Sequence, residues 1–307
     1  MTLRPFVSAS RRTDLPAWYS EWLISRIRAG SCRVRNPFRP SQEWVVDLSP
    51  DAVQAIFFWT RNPEPLLPYL AEIHSRGHRT IFQFTVTALP AELEPGLPPL
   101  QRRLDAFWRL ADMVGPERVW WRYDPIIIGR AWTPHWHCQA FASLAERLQG
   151  ATHRVTLSLV DWYRKTERRL VPAEARYGPF SRVDDSSLEG LALATELAAL
   201  AAAHGMRAVA CCEPGWATAG VESAACIDGR AAAEIFGFEA ESLTDPGQRP
   251  ACRCAPSYDI GAPHTCLGGC LYCYATSSHR RAQESFAQHD PRLAELLPLR
   301  TTVEKDA

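Results

Sequence analysis

Lysine is nearly missing from this chain. Of its 34 basic residues only Lys165 and Lys305 are lysines, and the rest are arginines. A bias this complete reflects genome composition and is not read as phosphate recognition. Net charge is missing too, since 34 acids balance 34 bases. That removes the usual reason to expect non-specific binding to nucleic acid or to a membrane surface. No window approaches the ~18 consecutive apolar residues of a membrane span. The start, MTLRPFVSASRR, holds no apolar run of signal-peptide length. The expectation is a soluble cytoplasmic protein with no membrane partner. Thiols stay reduced there, so clustered cysteines are expected to hold a metal rather than each other.

What is present is enough to bury a core. The chain has 307 residues and is 46% hydrophobic, which suits one large domain or two small ones. Its ten cysteines are unevenly placed. Cys226, Cys252, Cys254, Cys266, Cys270 and Cys273 fall within 48 residues, whereas Cys32, Cys138, Cys211 and Cys212 are scattered. This excludes a disulfide scaffold, which would spread its bridges through a short secreted chain. Charge is also local. Residues 1–40 carry eight arginines against Asp14 and Glu21, and residues 183–247 carry eleven acids against Arg207 and Arg230. The two stretches either attract each other across a site or form ordinary solvated faces.

Apolar runs of strand length alternate with helical patterns. Strands are expected at Pro5–Ser8, Ala55–Thr60, Arg79–Thr87, Arg118–Arg122, His153–Val160 and Met206–Cys212. Helices are expected at Pro16–Ala29, Pro65–Arg76, Leu97–Val114, Pro134–Leu148, Ser187–His204 and Arg230–Phe236, several closed by glycine. Arg39–Leu48 adds one small extra strand. Six strand–helix units argue an α/β fold: an incomplete parallel (β/α)6 barrel, with a doubly wound open sheet as the alternative. Regularity ends near 237, in a tail rich in proline and glycine. Residues 1–237 are therefore expected to form the barrel. Residues 238–307 are expected to form a cysteine segment packed on it, within the same domain.

Polar residues follow each expected strand: Ser10–Asp14, Thr60–Asn62, Thr85 and Thr87, Arg122–Asp124, Asp161 and Glu213. In barrels, loops at the carboxyl ends of the strands build the site, so a polar cavity is expected there. Asp14 before Pro16 and Asp124 before Pro125 also suit caps and turns. Core packing explains the eleven tryptophans and twelve phenylalanines better than base stacking does. His135 and His137, two apart, do not share a helical face and read as a solvated helix start rather than a metal pair.

The strongest local signal is Cys266-Leu-Gly-Gly-Cys270-Leu-Tyr-Cys273. Three thiolates within eight residues can converge on one centre, and the glycines permit a tight turn between the first two. Short cysteine spacings of this kind hold iron–sulfur clusters. Three ligands would leave one iron of a cubane open, whereas zinc would want a fourth protein ligand. Idle structural thiols are the remaining alternative. Cys226, Cys252 and Cys254, with Cys211 or Cys212, would complete a second site: a second 4Fe–4S cluster or zinc.

CxxxCxxC with an aromatic before its last cysteine resembles the cluster loop of radical S-adenosylmethionine (SAM) enzymes. That resemblance implies a 4Fe–4S cluster on Cys266, Cys270 and Cys273, with SAM chelated at the open iron and Tyr272 near its adenine. One electron, from a donor such as flavodoxin or ferredoxin, would then cleave SAM to a 5′-deoxyadenosyl radical. In most such enzymes the loop follows the first strand, whereas here it comes near the other end of the chain. The phrases SASRRTD, FWTRNP, FQFT, WRYDPI, CID, CRC and DIGAPHTCLGGCLYCYA resemble an uncharacterised prokaryotic family, domain of unknown function 1848, over roughly the whole chain. On this resemblance the mouth of the barrel would hold SAM and an unknown small-molecule substrate. Arg122, Asp124 and Glu213 are the candidate catalytic residues, and Arg11, Asn62 and Tyr272 the candidate cofactor contacts. His264 is a candidate supporting group beside the cluster. The competing reading is a zinc-stabilised barrel that binds a small molecule or nucleic acid without redox chemistry. Zero net charge and the lack of a basic stripe weigh against nucleic acid. An iron–sulfur electron carrier is the third reading, and six polar loops are more than it requires.

Overall fold

In the computed structural model, which describes residues 4–298 apart from 38, 40 and 240–242, the apolar runs become strands. They are β1 (Phe6–Ala9), β2 (Ser31–Arg35), β3 (Glu43–Asp47), β4 (Ile56–Thr60), β5 (Thr80–Thr85), β6 (Val119–Ile126), β7 (Arg154–Leu159), β8 (Arg207–Ala210), β9 (Glu222–Ser223) and β10 (Ser257–Asp259). Eight of them form one sheet in the order β10-β1-β4-β5-β6-β7-β8-β9. Every neighbouring pair in that sheet is parallel. β2 and β3 form a separate antiparallel hairpin.

The expected parallel α/β sheet is present and, as expected of an incomplete barrel, it does not close; the strand count is revised from six to eight. Among the described residues no pairing joins β9 to β10. These edge strands have only two and three residues, too few for a ladder that could close the ring. The doubly wound alternative fails. Strands β1 and β4–β9 add in chain order along one direction, without the reversal a doubly wound sheet requires. Residues 299–307 of the expected C-terminal segment, Lys305 included, lie outside the described residues.

Side-chain alternation divides the sheet into two buried faces. Phe58, Phe82, Phe84, Trp121 and Tyr123 pack with Trp22, Leu104, Phe107, Phe141 and Leu197 of the long helices. Phe84 stacks on Phe107 at 4.9 Å and Trp121 on Phe141 at 4.8 Å. Each such buried side chain contributes about 1.5–3 kcal/mol. The opposite face presents Phe6, Phe57, Ile81 and Trp120, and Ala225–Ile227, Ala232, Cys254 and Ala255 cover it. The connection between β9 and β10 thus fills the side of the sheet that the long helices leave open. Burial on both faces is why the strands read as continuous apolar runs.

Helix starts follow their caps. Thr133, Ser187, Asp228 and Ser278 each accept a backbone N–H in the first turn of the helix that follows. The helix expected at Pro16–Ala29 is broken into Leu15–Trp18 and Ser20–Ala29. Tyr19 leaves the helical conformation at the break, and its hydroxyl donates to the Thr265 carbonyl at 2.8 Å. The tail is more regular than its composition suggests, holding β10 and the helix His279–Ala287. Among the described residues, Arg11 pairs with Asp259, Arg28 with Glu72, Arg33 with Glu43 and Glu295, and Arg35 with Glu43, so the ion pairs of these four arginines do not join the first stretch to residues 183–247. Among the described residues no helix is long and apolar enough to cross a membrane.

His137 corrects one expectation, because it is buried rather than solvated. Its Nδ1 meets the Tyr123 hydroxyl at 2.8 Å and its Nε2 meets the Ile127 carbonyl at 2.9 Å. Burial pushes its pKa from 6.5 down to about 4. The unfolded chain therefore takes up this proton at a higher pH than the folded one. The site's stabilisation is complete above about pH 6.5 and is lost as pH falls towards 4, roughly 3 kcal/mol in all. His137→Gln is expected to flatten the fall in melting temperature between pH 7 and pH 5. An unchanged slope would show that other groups govern it.

Candidate functional site

Loops leaving the carboxyl ends of the strands enclose a cavity of about 370 Å³. Ser10–Asp14 follow β1, Thr60 and Arg61 close β4, and Thr85 closes β5. Arg122, Asp124 and Pro125 come from β6, Ser158–Asp161 from β7, and Cys211 and Cys212 from the end of β8. Eight of the ten cysteines line this one space: Cys211, Cys212, Cys226, Cys252, Cys254, Cys266, Cys270 and Cys273. Cys32 and Cys138 instead pack in the main core.

The loop carrying Cys266, Cys270 and Cys273 leaves β10, which lies beside β1. Asp259 locks the two strands together. Its carboxylate accepts from Ser8 Oγ at 2.9 Å, Ser10 Oγ at 2.6 Å, and the Arg11 and Gly261 backbone amides at 2.9 and 3.1 Å. The phrases SASRR and DIG are thus two halves of one contact. Gly261 is required there, since a Cβ would stand 2.2 Å from Ser10 Oγ. Gly268 lies between two thiols, where a Cβ would come 3.5 Å from Cys266 Sγ and 3.7 Å from Cys270 Sγ. A bare glycine therefore keeps the space between the sulfurs open. Burial raises the pKa of the Cys266 thiol and pushes that of Cys270 up to about 12. Such thiols stay protonated unless a cation joins them.

A second loop clamps the first from outside. Gly96 N donates to Gly268 O at 3.0 Å, and Leu271 N donates to Leu93 O at 3.0 Å. A Cβ at Gly96 would stand 2.5 Å from the Leu267 carbonyl and 2.9 Å from that of Gly268. Gly96→Ala must therefore push the cysteine loop away. If the loop holds a metal, as the sequence leads one to expect, this variant is expected to lower its retention at least several-fold while shifting the melting temperature by only a few degrees. Metal counting after gel filtration beside a thermal scan checks this, and full retention would show that the clamp is dispensable.

Glu94 sits at the centre of that clamp with a side chain only 1% exposed. One of its oxygens accepts from Arg61 at 2.7 Å, from Thr87 Oγ1 at 2.8 Å and from the Tyr272 hydroxyl. The other accepts from Arg103 at 3.3 Å. Arg61 also donates to the Asp124 carbonyl at 3.0 Å and stands over the Tyr272 ring at 5.3 Å. The aromatic of the cysteine motif is therefore fixed by a buried acid and a buried cation.

The remaining five thiols lie together: Cys211, Cys226 and Cys254 are buried in one apolar cluster, and Cys212 and Cys252 pack against it. The sulfurs of Cys211 and Cys226 are 3.0 Å apart. Arg122 donates to Cys226 Sγ at 2.9 Å, and the Ile227 amide donates to Cys254 Sγ at 3.4 Å. Hydrogen bonds from Cys211 and Cys254, with Arg122 alongside, hold the Cys226 thiol well below its ordinary pKa. Gln83 and Arg154 fix the backbone nearby, binding Cys226 O at 2.6 Å and Ala225 O at 3.0 Å. Among the described residues, no three or more His, Cys, Asp or Glu are grouped so as to hold a metal ion.

Of the residues singled out from the sequence, Arg11, Arg122, Asp124, Tyr272, Cys226, Cys252, Cys254, Cys266, Cys270 and Cys273 line the cavity. Arg122 and Asp124 are ion-paired there. Asn62, Glu213 and His264 are not among its lining residues. The Asn62 side chain closes a turn on Glu64 N at 3.3 Å. Glu213 accepts from Leu159 N at 2.9 Å and Ser158 Oγ at 3.2 Å, joining the ends of β7 and β8, and burial pushes its pKa up to about 8. His264 accepts from Ser277 N at 3.1 Å. Asp14 both caps its helix, at 3.0 Å from Ala17 N, and accepts from Arg61 N at 2.7 Å. Arg61, one of the polar residues expected at the strand ends though not named as a cofactor contact, lines the cavity in place of its neighbour Asn62. Sequence reasoning missed Arg249, which lines the cavity, and Glu94, which holds Arg61 and Tyr272 from behind it. No periodicity marks an acid in a proline-rich loop, so Glu94 had no signal to give.

Comparison with known protein families matches residues 6–275 to the family described as domain of unknown function (DUF1848). No curated protein matches the chain.

Proposed function

The chain belongs to the DUF1848 family, and from its site we propose a radical SAM-type enzyme with a 4Fe–4S cluster on Cys266, Cys270 and Cys273. The observation that carries the reading is the position of the cysteine loop. It comes late in the chain, yet it leaves β10, which stands beside β1 at the edge of the sheet. In space it therefore follows the sheet's outermost strand, much as radical SAM cluster loops follow a first strand. The donor set fits the group: three thiols face one cavity, with Gly268 holding space between two of them. When bound, the cluster would supply one electron for the reductive cleavage of SAM.

The protein's own groups have separate parts in this reading. Arg61 places positive charge near Cys270, the better to hold a thiolate. Tyr272, pinned by Glu94 and Arg61, offers a fixed ring face at the cluster side of the cavity. Arg122 and Asp124 present a preset ion pair to a small substrate, and Arg11 adds a second cation at the wall. The reducing electron would come from a donor such as flavodoxin or ferredoxin, in a cytoplasmic setting that keeps the thiols reduced.

Anaerobic reconstitution with iron and sulfide tests the proposal. A brown protein that releases 5′-deoxyadenosine from SAM under reduction is the expected result. A colourless protein with one zinc per chain and no bound sulfide would overturn it in favour of a zinc-stabilised, non-redox barrel.

A further inference from the structure

We propose that Cys211 and Cys226 form a redox-active dithiol in the wall of the cavity, which closes to a disulfide as it reduces a small disulfide admitted there. The proposal does not rest on SAM chemistry or on a metal at the first set of cysteines. Both residues line the cavity, and their sulfurs stand 3.0 Å apart. A disulfide bond of about 2.05 Å is only about 1 Å shorter than this contact. A shared zinc would instead hold its sulfurs about 3.8 Å apart, as bonds of about 2.3 Å to one tetrahedral centre require. The contact therefore suits a bond between the two sulfurs better than an ion between them.

The backbone is set for that bond. Cys211 directly follows β8, and Cys226 comes shortly after β9, its parallel neighbour. Ala224 N donates to Ala210 O at 2.9 Å, which carries the pairing up to the residue before Cys211. Neighbouring strands lie about 4.8 Å apart, within the span of about 4.4–6.8 Å that a disulfide bridges between Cα atoms. Gln83 holds Cys226 O at 2.6 Å and Arg154 holds Ala225 O at 3.0 Å, so the second thiol is fixed against the first. Beyond Cys211 the chain turns through Cys212, whose φ of +60° is uncommon for a residue with a side chain. Consecutive residues of a strand face opposite sides, whereas Cys211 and Cys212 both line the cavity. The turn thus ends the strand's alternation at the pair.

Cys226 is the attacking sulfur. Arg122 donates to it at 2.9 Å, and a guanidinium beside a sulfur favours the thiolate, which is the nucleophile. Arg122 is itself aimed by Asp124 and by Gln83 Oε1 at 3.4 Å. In the first step the Cys226 sulfur attacks one sulfur of the small disulfide. A mixed disulfide forms, the original S–S bond breaks, and one thiol leaves with the proton that Cys226 gave up. The Cys211 sulfur then attacks the Cys226 sulfur, the mixed disulfide breaks, and a second thiol leaves with the Cys211 proton. Two protein thiols and one disulfide become one protein disulfide and two thiols, so the protein gives up two electrons and the small disulfide takes up both. Cys32 and Cys138, which pack in the main core and do not line the cavity, are placed for neither step.

Anaerobically purified full-length chain tests this, treated with bis(2-hydroxyethyl) disulfide, denatured in an alkylating agent and mapped by peptide mass. Wild type should yield a cross-linked peptide joining Cys211 to Cys226, which dithiothreitol reverses. The triple variant Cys266→Ala, Cys270→Ala, Cys273→Ala removes the thiols of the first set. It should form the same cross-link and lose two alkylatable thiols per chain, so failure of the first site leaves this result untouched. Cys211→Ala should stop at the mixed disulfide, with one mercaptoethanol held on Cys226. Cys226→Ala should leave Cys211 at least about tenfold slower to take up the reagent. Absence of the cross-link in both wild type and the triple variant overturns the proposal. A bond joining either residue to Cys212, Cys252 or Cys254 instead also overturns it. So does zinc or iron held by the triple variant and lost when Cys226→Ala is added, because the thiols would then be ligands. Should Cys226→Ala fail to fold, the wild-type cross-link still decides.

Discussion

Glu94→Ala is expected to destabilise the protein by about 3–5 kcal/mol, the cost of leaving buried charges without their partner. The acid balances Arg61 and Arg103, whose side chains are 16% and 5% exposed. It also accepts from Thr87 and Tyr272. Removing it takes the only carboxylate partner among the described residues from two largely buried cations, which keep only carbonyl acceptors on Asp124 and Thr87, and the acceptor from two hydroxyls. Glu94→Gln keeps an acceptor but not the charge, so its loss should be smaller. Urea denaturation, read as a shift in midpoint at constant slope, separates the two variants. A loss below about 1 kcal/mol for the alanine would mean that Arg61 and Arg103 find other partners. Because the clamp holds Tyr272 and the Leu93–Gly96 stretch against the cysteine loop, retention of the proposed cluster should fall along with stability.

Cys270→Ala should reduce 5′-deoxyadenosine release to that of a protein-free control. It should also remove about four iron atoms per chain relative to wild type. Cys270 is the middle ligand of the motif, buried among Leu89, Leu93, Ile127 and Tyr272. In the proposed cluster Cys266 and Cys273 would already be ligands, so no other thiol of the loop could take its place. The substitution removes little volume from a loop position, so the fold should survive. A thermal midpoint within a few degrees of wild type would separate lost chemistry from lost structure. SAM cleavage persisting in this variant would exclude the Cys266–Cys273 loop as the cluster site.

Much of the fold was legible in the chain. β4 is apolar almost throughout, and β5 is buried along its whole length, because helices cover one face and the β9–β10 connection covers the other. The helix Pro134–Leu148 begins and ends where proline, threonine and apolar spacing place it. Short edge strands were not legible. β9 and β10 have too few residues for any period to emerge, and β10 stands between the prolines and glycines of the tail. β2 escaped notice because its arginines alternate with single buried residues over only five positions.

The site was legible in part, and for a similar reason. Cys266, Cys270 and Cys273 announce themselves through a spacing that is local to one loop. Asn62 and Glu213 were chosen by position after a strand, yet a side chain there can turn inward or close a turn. Asn62 closes a turn and Glu213 ties two strand ends, while Arg61, one residue away, faces the cavity. The direction of a loop side chain depends on partners far along the chain, and no periodicity encodes it.

By itself, then, the sequence determined the strand–helix alternation, the apolar strands and the three-cysteine motif, all of them consequences of short-range spacing. Tertiary structure alone decided that the sheet stays open and that β10 returns to the side of β1. It likewise decided that five other thiols gather in and against one buried cluster beside Arg122 and that Glu94 secures Tyr272. Each of these joins residues tens to hundreds of positions apart. Such contacts arise from the packing of one face against another, which leaves no repeating mark on the chain.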